Sequence, residues 1–443
     1  MKVALVSVGS RGDIQPYIAL GRRLRACGHQ VRVAGVDPYR GLVESAGLDF
    51  CSLGPMPGQF RKRAQDDGAK KRRDGSARFE GVLGRALFWG IFPHLLRPYL
   101  DRFVEACRGV DAVMYSRLAL PVPHVAESMG VPCFEGFPVP HCSNGDFANP
   151  LYASWERLGD WAVRASYTVE WQLTHQLSYG TMARFRRWLG LGPVGRRRLR
   201  EHADEHLAGT LYGYSEHVLP RPSSWSQEKV AVTGYWFDDG EASDWEPPAS
   251  LEAFLARGAG RTICVGFGSM KPHRPGRLLE MFERALERLD LQAVVLAGSG
   301  GFERCGSKRM MVLEGAPHSW LFPKVEAVVH HGGAGTTAAA LKAGCPAVVV
   351  PFAFDQPFWG QRLARLGVAA GPIHEREVTV QKLVEALGAV TGDVQMRRRA
   401  QAVGARLAAE DGVGQAVAAL ERWCREGEGR GGGLGRRPVR RAA

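Results

Sequence analysis

The sequence predicts an α/β protein built from two β/α halves that face each other across a cleft. Three observations carry this. The chain opens on a strand–loop–helix–strand run, the start of a parallel sheet. A second alternation of strands and helices runs from residue 262 to 366. Between them lies 238–250, DDGEASDWEPPAS, an acidic stretch with prolines and no period, where a linker belongs.

In the first half, Val3 to Val8 is a continuous apolar run, as expected of a strand buried on both faces. The loop Gly9-Ser10-Arg11-Gly12-Asp13 follows. From Ile14 the apolar spacing of Tyr17, Ile18 and Leu24 fits a helix with Pro16 in its first turn, ended by Gly28. Gln30 to Gly35 is the next strand, and 112–115 and 131–134 continue the sheet, with a short helix over 123–129 between them. Segments 82–104 and 151–190 interrupt the alternation with Trp, Phe, Leu and Arg at helical spacing. Insertions of this kind build a pocket or lid.

In the second half, strands are predicted at 262–267, 292–297, 310–313, 326–330 and 346–350. Helices are predicted at 276–289, 335–343, 357–366, 379–390 and 394–424. The Gly- and Arg-rich tail 425–443 reads as disordered.

Composition sets limits. Of 443 residues, 45% are apolar and 23% charged, values of a globular protein rather than a disordered or collagenous one. No apolar run reaches the length of a bilayer span. The N-terminus lacks a signal peptide's apolar core and cleavage site. Nine cysteines without a C-x-x-C pair indicate neither a zinc knuckle nor a disulfide framework. A cytoplasmic location is the expectation. The net charge of +13 is uneven: 61–73, RKRAQDDGAKKRR, holds +5, and the tail from 425 holds +4. These runs are solvated loops or an attraction to an anionic membrane surface. Nucleic acid is not expected, because no aromatic-and-basic recognition motif accompanies the charge.

Several turns can carry chemistry. Residues 329–337, Val-His-His-Gly-Gly-Ala-Gly-Thr-Thr, join an apolar strand to an Ala-rich helix. Small residues there expose the N–H groups of the first helical turn, which suit a diphosphate. His331, Thr336 and Thr337 can add donors. The alternative is a tight turn with a packed histidine. Gly266-Phe267-Gly268-Ser269 is a second such turn. Asp355-Gln356 follows a third strand and can bind sugar hydroxyls at the carboxyl edge of the sheet. Asp355 also fits a helix N-cap, and so does Asp13 in the first loop; on that residue alone the cap is the stronger reading.

Together, GSRGDIQP (9–16), VGFGSM (265–270), PHSWLFPKVEAVVHHGGAGTTAAALKAGCP (317–346) and PFAFDQPFWGQRLARLGV (351–368) resemble family 1 glycosyltransferases of GT-B fold. The sterol 3-β-glucosyltransferases are the nearest branch and the vancomycin-type antibiotic enzymes are close by. The resemblance covers the first 40 residues and most of 215–395. It implies two Rossmann-like domains, 1–237 for the acceptor and 251–395 for the nucleotide sugar, with 238–250 as linker. Residues 396–424 would pack back on the N-terminal domain.

The resemblance also implies site roles. Asp13 is the general base. Gly268 and Ser269 contact the diphosphate, as do His331, Gly333, Gly335, Thr336 and Thr337. Trp320 and Leu321 line the nucleobase pocket, and Asp355 and Gln356 bind the donor sugar. Ser319 stands where the family usually has Asp, which loosens the nucleotide assignment. The implied reaction is inverting hexose transfer from UDP-glucose, or next a dTDP-sugar, to a hydrophobic or natural-product hydroxyl. A lipid-linked acceptor and a binding module without transfer are the alternatives. A dehydrogenase is disfavoured, because the first loop offers only Gly9 and Gly12 of the dinucleotide fingerprint.

No D-x-D pair occurs in the chain, so no cofactor or metal is expected. Leaving-group charge then falls to His331 and its helix. Arg11 and the helix start are expected to lower the pKa of Asp13. Phe88, Trp89, Phe92, Trp155, Trp161, Trp171 and Trp188 line an acceptor pocket or pack as core. Scarce lysine beside arginine, with asparagine only at Asn144 and Asn149, points to a GC-rich bacterial source and a specialised-metabolite acceptor.

Overall fold

The computed structural model describes residues 1–55, 81–238, 245–298, 302 and 307–429. The basic segment 61–73 lies outside these described residues; of the tail 425–443 read as disordered, 425–429 continue the last helix and 430–443 lie outside the described residues.

Two all-parallel sheets organise the chain. The first takes β1 (Lys2–Val6), β2 (Gln30–Gly35), β3 (Asp49–Ser52), β4 (Ala112–Tyr115), β5 (Cys133–Phe137), β6 (Leu207–Tyr212) and β7 (Val230–Val232), in the order β3-β2-β1-β4-β5-β6-β7. The second takes β8 (Thr262–Gly266), β9 (Gln292–Leu296), β10 (Met310–Leu313), β11 (Ala327–His330), β12 (Ala347–Val349) and β13 (Ala369–Ala370), in the order β10-β9-β8-β11-β12-β13. Strand order reverses beside β1 in one sheet and beside β8 in the other. Such reversals open crevices at the carboxyl ends of the strands.

The strands read as apolar runs because each feeds two cores. In β1, Val3 and Leu5 enter the core under the helix Arg11–Ala26, while Ala4 and Val6 enter the core on the opposite face. In β8, Ile263 and Val265 face one core and Cys264 the other.

Several element boundaries differ from the sequence expectation, three of them for a visible reason. β1 ends at Val6, because Val8 N–H turns away to the Ser116 hydroxyl at 3.1 Å. The first helix starts at Arg11 rather than Ile14, with Ser10 as its N-cap. β5 begins at Cys133 rather than 131. Gly130, at φ +65°, closes the helix Val122–Met129, and Val131 N–H is spent on the Ala126 carbonyl at 3.1 Å.

The expected helix 394–424 is two helices, Val394–Ala408 and Gly412–Gly429. The break is where the chain passes from one domain to the other. A Cβ on Gly412 would sit 2.4 Å from the Tyr235 carbonyl oxygen, and Ser215 donates to Glu410 at 2.6 Å. Beyond it the last helix joins the N-terminal core through Ala416, Val417 and Leu420. Trp423 stacks on Phe134 with ring centroids 5.9 Å apart, and a Cβ on Gly209 would lie 2.5 Å from the Trp423 ring. Among the described residues no helix is long and apolar enough to cross a membrane.

Candidate active site

One large cleft, about 1820 Å³, is lined by residues of both domains. Its walls are the loops after β1, β4 and β5 on one side and those after β8, β10, β11 and β12 on the other.

Asp13 is the third residue of the first helix and lines this cleft. Its Oδ2 accepts from Ser10 N–H at 2.6 Å and from the Ser10 hydroxyl at 2.9 Å. Ser10, not Asp13, is therefore the cap, and among the described residues Oδ1 receives no hydrogen bond. Gly9 makes this possible. At φ +143° a Cβ there would stand 2.3 Å from Asp13 Oδ2. Burial pushes the Asp13 carboxyl above its ordinary pKa, and the Ser10 bonds only partly oppose it. The expected lowering by Arg11 is thus overturned. The Arg11 side chain donates instead to Gln15 at 3.2 Å.

Across the cleft, β11 ends in His330 and the chain turns through His331-Gly332-Gly333 into the helix Ala334–Lys342. The His331 ring is held between two glycines. A Cβ on Gly333 would lie 2.3 Å from its Nε2, and one on Gly268 would lie 3.3 Å from its Cε1. Burial, then the neighbouring His318, brings the His331 pKa down to about 4, so the imidazole is neutral at pH 7. Its buried Nδ1 has no partner among the described residues. The N–H groups of Ala334, Gly335 and Thr336 fall in the unpaired first turn of that helix, facing the same space.

Asp355 and Gln356 follow β12 and line the cleft. Phe354, at φ +61°, makes the sharp turn that presents them. Asp355 occupies the N-cap position of the helix Gln356–Arg365 but makes no cap bond; it accepts from Trp359 Nε1 at 3.0 Å. Burial raises its pKa to about 6, and the charge of Asp13 adds to the rise. Gln356 Oε1 accepts from Phe352 N–H at 2.7 Å and Ala353 N–H at 3.1 Å. Only its amide N–H groups remain for a ligand.

Gly268, Ser269, Gly333, Gly335 and Thr336 also line the cleft; Thr337, Trp320 and Leu321 do not. Thr337 and Leu321 are fully buried. Trp320 packs edge-on behind Trp245 at 5.0 Å. On that segment His318, Ser319 and Phe322 line the cleft instead, with His318 stacked on Phe322 at 4.4 Å. Of the seven aromatics singled out in the insertions, Phe88 and Trp89 line the cleft. Phe92 is core, and Trp161 and Trp188 are exposed on the surface.

Residues 3–144 match the glycosyltransferase family 28 N-terminal domain, and residues 309–421 match the erythromycin biosynthesis protein CIII-like C-terminal domain. Sterol 3-beta-glucosyltransferase UGT80A2 of Arabidopsis thaliana is 31% identical over 436 residues, which cover 95% of this chain and 65% of that protein. UGT80B1 of the same plant is 31% identical over 429 residues, covering 95% of this chain and 68% of its own length. The chain belongs to the family 1 glycosyltransferases. The fold is GT-B. The structure of the Streptomyces glycosyltransferase SsfS6 complexed with thymidine diphosphate superposes with a TM-score of 0.58 at 20% identity, covering 95% of this chain and 99% of that one. That likeness is one of fold.

The cleft wall holds two arginines that sequence reading missed, Arg85 and Arg117, and a buried carboxylate behind them, Glu170. Arg85, Arg117 and Glu170 come from separate segments of the insertions and from the loop after β4, with no motif to mark them. His318 and Phe322 had a signal, a histidine and an aromatic one helical turn apart. Among the described residues one group could hold a metal: Glu127, His202 and His206, whose ligand atoms lie within 4.8 Å of one another outside the cleft lining. Arg186 already donates to both oxygens of Glu127.

Proposed function

We propose that this chain transfers a hexose from a nucleoside diphosphate sugar, UDP-glucose first, to a hydroxyl of a hydrophobic acceptor, with inversion and without a required metal. One observation carries the reading. A carboxylate in the first helical turn after β1 of one domain and a histidine just before a helix N-terminus of the other open into the same cleft.

In-line displacement at an anomeric carbon needs those two groups on opposite sides. Asp13 takes the proton of the acceptor hydroxyl as its oxygen forms the new bond to C1. The bond from C1 to the diphosphate oxygen breaks, and the departing charge lands on the N–H groups of Ala334, Gly335 and Thr336. Neutral His331 donates one N–H to the same oxygens, and the arriving diphosphate favours its protonation. Asp355 accepts from the sugar hydroxyls, and Gln356 donates through its amide. The raised pKa of Asp13 makes it a better base than an exposed aspartate.

Glucose as the sugar and a sterol-like acceptor are supported by the named activity of the sterol 3-beta-glucosyltransferases UGT80A2 and UGT80B1. Thymidine diphosphate in SsfS6 supports a dTDP-sugar as the second donor. The test is a donor panel with mass detection of product, run with and without EDTA, and the anomeric configuration read by NMR. A product requiring divalent metal, or one with retained configuration, contradicts the mechanism.

A further inference from the structure

Arg85, on the helix Gly81–Leu96, and Arg117, after β4, both line the N-terminal wall of the cleft. Glu170, on the helix Asp160–Trp188, lies behind them and is 2% exposed. Its Oε1 accepts from Arg117 at 2.7 Å and Trp89 Nε1 at 3.1 Å, and its Oε2 from the Tyr152 hydroxyl at 3.0 Å. That carboxylate is fully engaged.

Arg85 is left over. Its guanidinium lies over the Tyr152 ring, 4.7 Å from the centroid, and donates through Nη2 to the Leu151 carbonyl. The residue is 7% exposed, and among the described residues its buried Nε has no partner. An orphan N–H on a buried cation is costly. Two guanidinium groups share one carboxylate, and Arg117 already pairs with it. Around them the wall is apolar: Phe88, Trp89, Leu118, Phe137 and Leu151. A purely hydrocarbon acceptor would cover Arg85 with nothing to bond it.

We infer that Arg85 binds a carboxylate of the acceptor, so that the substrate class is an amphipathic hydroxy acid rather than a neutral sterol. This rests on the transferase reading above. The acid docks on Arg85, the alkyl part on Phe88 and Trp89, and the hydroxyl turns toward Asp13. A hydroxy fatty acid is the simplest member of that class.

The experiment uses the full chain at pH 7.5 with UDP present. Tryptophan fluorescence titrations give the affinities of 3-hydroxytetradecanoic acid, its methyl ester and tetradecan-3-ol. The acid should bind about tenfold tighter than the other two, the usual scale of a bond to a charged group. Arg85→Gln should abolish that preference while the alcohol and UDP bind within twofold of wild type; Arg85→Lys should keep part of it. Equal affinities in wild type, no binding of the acid, or a parallel loss of all three ligands in Arg85→Gln overturns the proposal. If UDP itself fails to bind wild type, the nucleotide-sugar reading falls instead. UDP binding without acid preference removes only the role of Arg85.

Discussion

Burial first, and then the charge of Asp13 on the N-terminal domain, raises the pKa of Asp355 on the C-terminal domain, across the cleft that separates them. Two carboxylates from different domains thus share one electrostatic environment. In the proposed reaction they act separately, Asp13 as proton acceptor and Asp355 as sugar ligand.

The raised pKa of Asp355 has a consequence for stability. Asp355 titrates near 6 when folded and near 3.8 when unfolded. Its contribution to stability is fully present below pH 4 and is lost as the pH rises through 6. Above that, the buried charge costs the folded state on the order of 1–3 kcal/mol, moderated by water in the open cleft. Asp355→Asn should therefore raise the thermal midpoint of the free protein at pH 7.5 and change it less at pH 5. Differential scanning fluorimetry at the two pH values checks this; a variant that melts lower at pH 7.5 would contradict the burial account.

The same group should shape the rate. If ionised Asp355 holds the sugar, kcat/KM falls on the acid side with an inflection near pH 6. Asp355→Asn should lower activity and flatten that limb. An acid limb unchanged in the variant assigns it to another group.

His331→Ala removes the imidazole held between Gly268 and Gly333. Loss of one hydrogen bond to a charged diphosphate costs about 1.5–3 kcal/mol, so donor affinity or turnover should drop about ten- to a hundredfold. Isothermal titration with UDP, beside steady-state rates, separates the two. Wild-type values in both would take His331 out of the site.

Gly9→Ala places a Cβ against the Asp13 carboxylate at a φ that side chains rarely adopt. Turnover should fall with UDP affinity intact, since the change touches only the base. Retained turnover would show that Asp13 need not occupy this position.

Trp423→Ala opens a cavity between the last helix and the N-terminal sheet, where Trp423 stacks on Phe134. The expected cost is about 3–5 kcal/mol. A thermal midpoint within a degree of wild type would mean that this helix adds little to the N-terminal domain.

The sheet strands are legible in the sequence because burial on both faces leaves unbroken apolar runs, as in β1 and β11. The turns at 266–269, 331–337 and 354–356 are legible because a strand, small residues and a helix follow in order. Direction is not legible. Thr337 follows Thr336 in sequence, yet one residue of helical rotation turns it from the cleft into the interior. Trp320 and Leu321 are likewise turned away while His318 and Phe322 face the ligand space. The sign of the Asp13 shift escapes sequence reading because it is set by burial, which local sequence does not show, while Arg11, two residues away in the chain, donates to Gln15. The cluster of Arg85, Arg117 and Glu170 joins residues up to 85 positions apart, and no local pattern announces it.

Asp13 is the base of the proposed transfer, and Asp13→Asn tests that role most directly. Asparagine keeps the oxygen that receives Ser10 N–H at 2.6 Å in the native chain, so the helix start is preserved. It cannot take the acceptor proton. Single-turnover product formation from UDP-glucose should fall about 10²–10⁴-fold, with UDP affinity unchanged. Near-normal product formation in this variant would leave Asp13 as part of the helix cap alone and contradict the mechanism.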